Sequence, residues 1–185
     1  MDWLTLLIRL VEALAWPAAV LIIALVFRPE FRRLVPLVRK LKVAGLEAEF
    51  EQSVREISEE TGAVTPELGV KPDTRKSTLI ELAATHPRAA ILEAWRGVEI
   101  AVKRAAIQNA GSPVPDVSSP RKAMRELVQT SVMSPEDASL FYDLQGLRNQ
   151  AAHVPDFEPS QEAAIRYVVL ASHLLSRLGR IAEPG

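Results

Sequence analysis

The sequence contains no cysteine among its 185 residues, which excludes disulfides, thiolate zinc sites and a cysteine nucleophile and leaves the redox compartment without a marker. Net charge is nearly absent too. The 22 basic residues face 23 acidic ones, so the protein as a whole has no field that would draw in nucleic acid or an acidic substrate. No HExxH pair, clustered metal ligands, phosphate-cradling glycine loop or serine elbow occurs, and the three histidines stand apart. Neither a metal nor a cofactor is expected. Aromatic residues make up only 5%, and the chain lacks the basic and aromatic groove of a strong RNA binder. Beyond residue 60 no segment alternates apolar and polar residues as a half-buried strand does. Helix remains, with 48% hydrophobic residues to fill one modest domain plus an accessory segment.

The amino-terminal stretch "WLTLLIRLVEALAWPAAVLIIALVF", Trp3 to Phe27, is apolar apart from Thr5, Arg9 and Glu12. At about 1.5 Å per residue it is long enough to cross a bilayer, so residues 1–27 are expected to form one transmembrane helix. Trp3 and Trp16 suit interfacial positions, and Pro17 kinks such a span without preventing it. A signal peptide fits poorly, because "RPEFRRLV" follows the apolar run with no small-residue cleavage pattern. Arg28, Arg32, Arg33, Arg39, Lys40 and Lys42 lie just beyond it against the single acid Glu30. The positive-inside rule then puts the amino terminus outside and everything after residue 28 in the cytoplasm, at the inner membrane with the lipid bilayer as partner. The apolar spacing of Phe31, Leu34, Val35, Val38 and Leu41 among those cations is that of an interfacial helix, and equally of a stop-transfer flank.

Past Gly45 the charge reverses, and Glu47, Glu49, Glu51, Glu56, Glu59 and Glu60 surround Leu46, Phe50, Val54 and Ile57 at helical spacing. Residues 28–60 therefore read as basic juxtamembrane and acidic amphipathic connector helices, the second ended by Gly62. It is expected either to pack on the domain that follows or to pair with a second copy. Residues 61–77, rich in proline, glycine and charge, read as a linker. Residues 78–185 hold four helical segments. The first has Pro87 early and repeats Ile91, Trp95, Val98, Val102 and Ala105 on one face. The second opens on Ser119 and Pro120 and buries Ala123 and Leu127, with Met124 and Val128 beside them. The third opens on Ser134 and Pro135 with an apolar line of Leu140, Leu144, Leu147 and Ala151, and the fourth opens on Ser160 and runs through Ile165, Val168, Ser172, Leu175 and Leu178. The fold class is all-α, an up-and-down four-helix bundle behind a transmembrane helix.

Chemistry concentrates in "LRNQAAH", Leu147 to His153. Asn149 and His153 are four residues apart and share a face, whereas Arg148 is turned by roughly 140° from His153. Pro155 biases Val154 away from helical geometry, so the helix is expected to stop at His153 and free its ring. A two-fold dimer offers a second solution, bringing His153 of one chain beside Arg148 of the other. An arginine, a polar residue and a histidine after four intervening residues resemble the signature of the HEPN (higher eukaryotes and prokaryotes nucleotide-binding) superfamily. "PRAAILEAWRGVEIAV" looks like the first helix of its membrane-associated bacterial members, and "LRNQAAHVPDFEPSQEAAIRYVVLASHLL" like their motif and final helices, so the resemblance covers roughly Pro87 to Leu178. It implies metal-independent RNA cleavage at a homodimer interface, in an effector of stress or phage defence restrained by a regulatory protein partner. His153 is then the general acid or base, Arg148 stabilises phosphoryl charge and Asn149 orients one of them, with Glu99 as a candidate partner for His153 or Arg148. The alternative is a non-catalytic, membrane-tethered interaction module or a nucleotide or RNA sensor, in which Arg148 pairs with Asp143 or Glu99 and His153 caps the helix. His86 and His173 read as surface or helix-packing residues.

Overall fold

A computed structural model describes residues 42–62, 74–110 and 116–182, together with Trp3, Arg9, Trp16, Pro17 and Leu21. The chain divides into two compact units, Met1–Ala44 and Gly45–Gly185. The sequence-predicted span over 1–27 and the basic stretch after it fall almost wholly outside the described residues. Among the described residues no helix is long and apolar enough to cross a membrane, and this corrects the expected single-pass inner-membrane localisation. In the longest of the described helices the obstacle is charge. The two longest helices with defined ends run for 22 residues each, but one carries Arg88, Glu93, Arg96, Glu99, Lys103 and Arg104 and the other Glu162, Arg166, Arg177 and Arg180, which hydrocarbon does not accommodate.

The second unit is all-helical among its described residues. Its elements are α1 (helical over 42–61, with 45–61 in this unit), α2 (Thr74–Thr85), α3 (Pro87–Gln108), α4 (Pro120–Gln129), α5 (Pro135–His153) and α6 (Gln161–Ala182). The start signals work as their chemistry requires. Ser119, Ser134 and Ser160 each accept a hydrogen bond from the backbone N–H three residues on, at 3.3, 3.1 and 3.2 Å, satisfying donors that a helix start leaves orphaned. Pro87, Pro120 and Pro135 occupy first-turn positions, where the missing N–H costs nothing. Gly62 follows α1 with φ of 62°, a left-handed stop.

Helices α3 and α6 form the centre, packed on each other more extensively than any other pair. On α3 the expected face of Ile91, Trp95, Val98, Val102 and Ala105 is buried, as are Ala123, Met124 and Leu127 on α4 and Leu140, Leu144, Leu147 and Ala151 on α5. The α6 face is wider than its spacing indicates. Of the expected line only Val168 and Leu178 are fully buried, while Ala164, Tyr167, Leu170, Ala171 and Leu174 join them, because α2, α3 and α5 all pack on α6. The acidic helix α1 packs on this unit: Phe50 and Val54 are fully buried, and the Phe50 ring meets Phe157 edge-on at 5.2 Å. Helix α2 begins inside the stretch that composition marks as linker and buries Leu79 and Ala83. At Gly97 the α3 backbone lies against Arg75 of α2, where a Cβ would stand 2.6 Å from the guanidinium.

Two substitutions test this account by urea denaturation. Phe50→Ala removes the ring that holds α1 and is expected to cost about 3–5 kcal/mol, a large part of the roughly 5–15 kcal/mol typical of a domain. Ser134→Ala removes one α5 cap and is expected to cost about 1 kcal/mol.

Candidate functional site at the end of α5

Helix α5 ends where Pro155 requires. Val154 has φ of −81° and ψ of 116°, extended rather than helical, and its N–H still reaches the Gln150 carbonyl at 3.0 Å. His153 is thus the last helical residue and is solvent-exposed. A carbonyl orphaned by this stop is satisfied from another helix, since Arg88 in the first turn of α3 donates from Nη2 to the Ala152 oxygen at 3.2 Å. One turn before Arg148, the buried Tyr167 hydroxyl of α6 donates to the Leu144 carbonyl at 3.0 Å. Burial holds that phenol far above its ordinary pKa, while the Arg148 cation pulls the other way. Arg148 thus lies within electrostatic reach of this α6 phenol.

Arg148 is half-buried, and its Nη1 donates to the Asn149 Oδ1 at 3.1 Å. Its Nε is buried without a hydrogen-bond partner. Neither expected carboxylate pairs with it. Glu99 takes the Lys103 ammonium at 3.4 Å one turn along α3, and Asp143 is pushed up from its ordinary carboxyl pKa by burial and by Glu60, with Ser139 opposing. Among the described residues Arg148 forms no ion pair, and the His153 side chain forms neither an ion pair nor a hydrogen bond. The structure joins Arg148 to Asn149 and joins neither to His153 within one chain; for Arg148 the roughly 140° that separates it from His153 on the helix dictates this.

The site is an exposed helix end and not a cavity. One cavity of about 580 Å³ lies at the opposite end of α5, lined by Ser131, Met133, Asp137, Arg177 and Arg180 among others. Another, of about 480 Å³, lies between α1 and the start of α6, with Glu51, Glu56, Glu59 and Glu162 facing Arg55 and Arg166. Among the described residues no cluster of histidine and carboxylate side chains is arranged to hold a metal ion. The residues that brace the motif, Arg88 and Tyr167, escape sequence reading because each acts across a long stretch of chain. A first-turn arginine and a lone tyrosine in an apolar run are the only local signals. Comparison of the chain with known protein families, with curated proteins and with solved structures finds no match.

His173 lies by the far end of α5, facing Asp137, Arg177 and Arg180. Asp137 is buried and takes Arg177 at 3.3 Å, and the His173 Nδ1 is buried without a partner. Partial burial first, then Arg177 and Arg180, lower the His173 pKa from its ordinary 6.5, opposed by Asp137. The folded protein thus binds this proton less readily than the unfolded chain. The stabilisation is complete above the ordinary value and is lost as pH falls through the depressed one. Unfolding midpoints measured from about pH 7 to about pH 5 are expected to fall, and His173→Gln is expected to fall less steeply.

Proposed function

We propose that this bundle is a HEPN-like endoribonuclease that cleaves without a metal and works as a two-fold dimer. The observation that carries this reading is the state of the motif residues: a guanidinium free of carboxylates and held by Asn149, on a helix that ends in an exposed, unpartnered His153. A scaffold role would have been supported by Arg148 in a salt bridge and His153 capping its own helix. A dimer axis beside the α5 end brings two such ends together, which answers the angular separation inside one chain. One His153 takes the proton of the ribose 2′-hydroxyl as that oxygen attacks phosphorus. Arg148 neutralises charge on the phosphoryl oxygens, the bond to the 5′ oxygen breaks, and a protonated His153 gives that oxygen its proton. The products are a 2′,3′-cyclic phosphate and a 5′-hydroxyl. The second reading, a sensor without chemistry, has the cavity at Arg177 and Arg180 in its favour.

Controlled expression followed by growth curves, RNA integrity and end-group analysis separates the two. The wild type is expected to stop growth and leave cyclic phosphate ends, with a rate unaffected by chelators. His153→Ala and Arg148→Ala are each expected to lose roughly a hundred-fold or more in cleavage. Identical behaviour of wild type and both variants overturns the nuclease and leaves the sensor.

A further inference from the structure

The exposed side of α5 carries chemistry beyond the three motif residues. At about 100° per residue, Tyr142, Gly146, Asn149 and His153 fall within about 60° of arc, and all four are exposed. No carboxylate of α5 lies within that arc; Asp143 is turned about 100° from Tyr142. Arg121, in the first turn of α4, lies over the Tyr142 ring with Cζ 5.6 Å from the ring centre, and its Nε donates to the Gln145 Oε1. No carboxylate pairs with this guanidinium among the described residues. Phe141 meets the Tyr142 ring edge-on at 5.3 Å and so fixes its plane. Between this pair and Asn149 lies Gly146, where even a Cβ would meet nothing within 4 Å. The helix surface there is open down to the backbone.

We propose that the Arg121–Tyr142 pair is a stacking platform for an unpaired base of single-stranded RNA, an inference that rests on the nuclease reading above. A phenol ring and a planar guanidinium both offer faces on which a base stacks, and the guanidinium adds a charge for the neighbouring phosphate. Asn149 and His153 follow at about 10 Å and about 16 Å along the axis, so a strand anchored on the ring runs over the Gly146 gap to the reacting groups. Bases within a duplex are already stacked on one another and cannot reach the ring, so the platform selects unpaired RNA. Every base has a π-face, so it does so with little regard to sequence.

The test uses the full chain and a fluorescent single-stranded 2′-O-methyl oligonucleotide, which lacks the attacking hydroxyl and reports binding alone, against the same strand annealed to its complement. By anisotropy the wild type is expected to prefer the single strand. Tyr142→Ala and Arg121→Gln are each expected to weaken its binding roughly ten-fold or more. Tyr142→Phe is expected to retain affinity, and His153→Ala to retain affinity while losing cleavage of ordinary RNA. Thermal melts establish which variants fold, and Arg121→Gln carries the test by itself where Tyr142→Ala does not. Undiminished binding by the folded variants, alongside wild-type cleavage, overturns the platform and leaves the nuclease standing. A wild type that neither binds nor cleaves overturns both. Loss of self-association in Tyr142→Ala with unchanged affinity for the oligonucleotide also overturns the platform, and assigns the stripe to contact between copies of the chain.

Discussion

The close packing of α3 on α6 is the constraint on which everything else is hung. Both helices interleave alanines with large side chains, Ala90, Ala94 and Ala105 beside Ile91, Trp95 and Val98 on one, Ala164 and Ala171 beside Tyr167, Leu170 and Leu174 on the other. Small residues at the seam let two helices approach, and the large neighbours then fill the grooves that approach creates. Helices of this length are marginal alone, so this shared surface is what makes them persist. Once α3 and α6 are set, Trp95 receives Phe141 of α5 at 5.2 Å and Tyr167 reaches the Leu144 carbonyl. The α5 helix is thereby fixed in rotation about its own axis, and with it the directions of Arg148, Asn149 and His153.

Local signals were legible wherever their cause was local. Serine followed by proline at 119–120 and 134–135, and Pro155 after Val154, act within a single turn, and each marked a real helix boundary. Periodicity reports α3 and α5 well because the lines it marks fall wholly inside the faces that these helices bury. On α6 the marked line runs along one edge of the buried face, so that Ile165, Ser172 and Leu175 are only partly covered. Helix α2 was hidden by composition. Its twelve residues hold only Leu79 and Ala83 in the core, and the prolines and charges just before it resemble a tether.

The candidate site divides in the same way. The identity of Arg148, Asn149 and His153 and the stop after His153 are written in eight consecutive residues. What braces the helix that carries them is not, because Tyr167 of α6 reaches the Leu144 carbonyl and Arg88 of α3 the Ala152 carbonyl. The expected carboxylate partners, Asp143 on the same helix and Glu99 on α3, lie in other electrostatic company, with Glu60 and Lys103. The apolar amino-terminal segment shows a different limit, since length and hydropathy alone point to a span, whereas no helix among the described residues is long and apolar enough to cross a membrane.

Helix α5 is bracketed by two residues in left-handed backbone, Ser131 before it with φ of 55° and Asp156 after it with φ of 58°. Outside glycine such a conformation costs on the order of 1 kcal/mol, yet glycine would free the unfolded chain by a comparable amount, about 0.4–1 kcal/mol. The near cancellation means that stability alone exerts little preference between the two kinds of residue. A serine and an aspartate there narrow the paths open to the chain before it folds, and so favour a single turn at each extremity of the helix that carries the histidine.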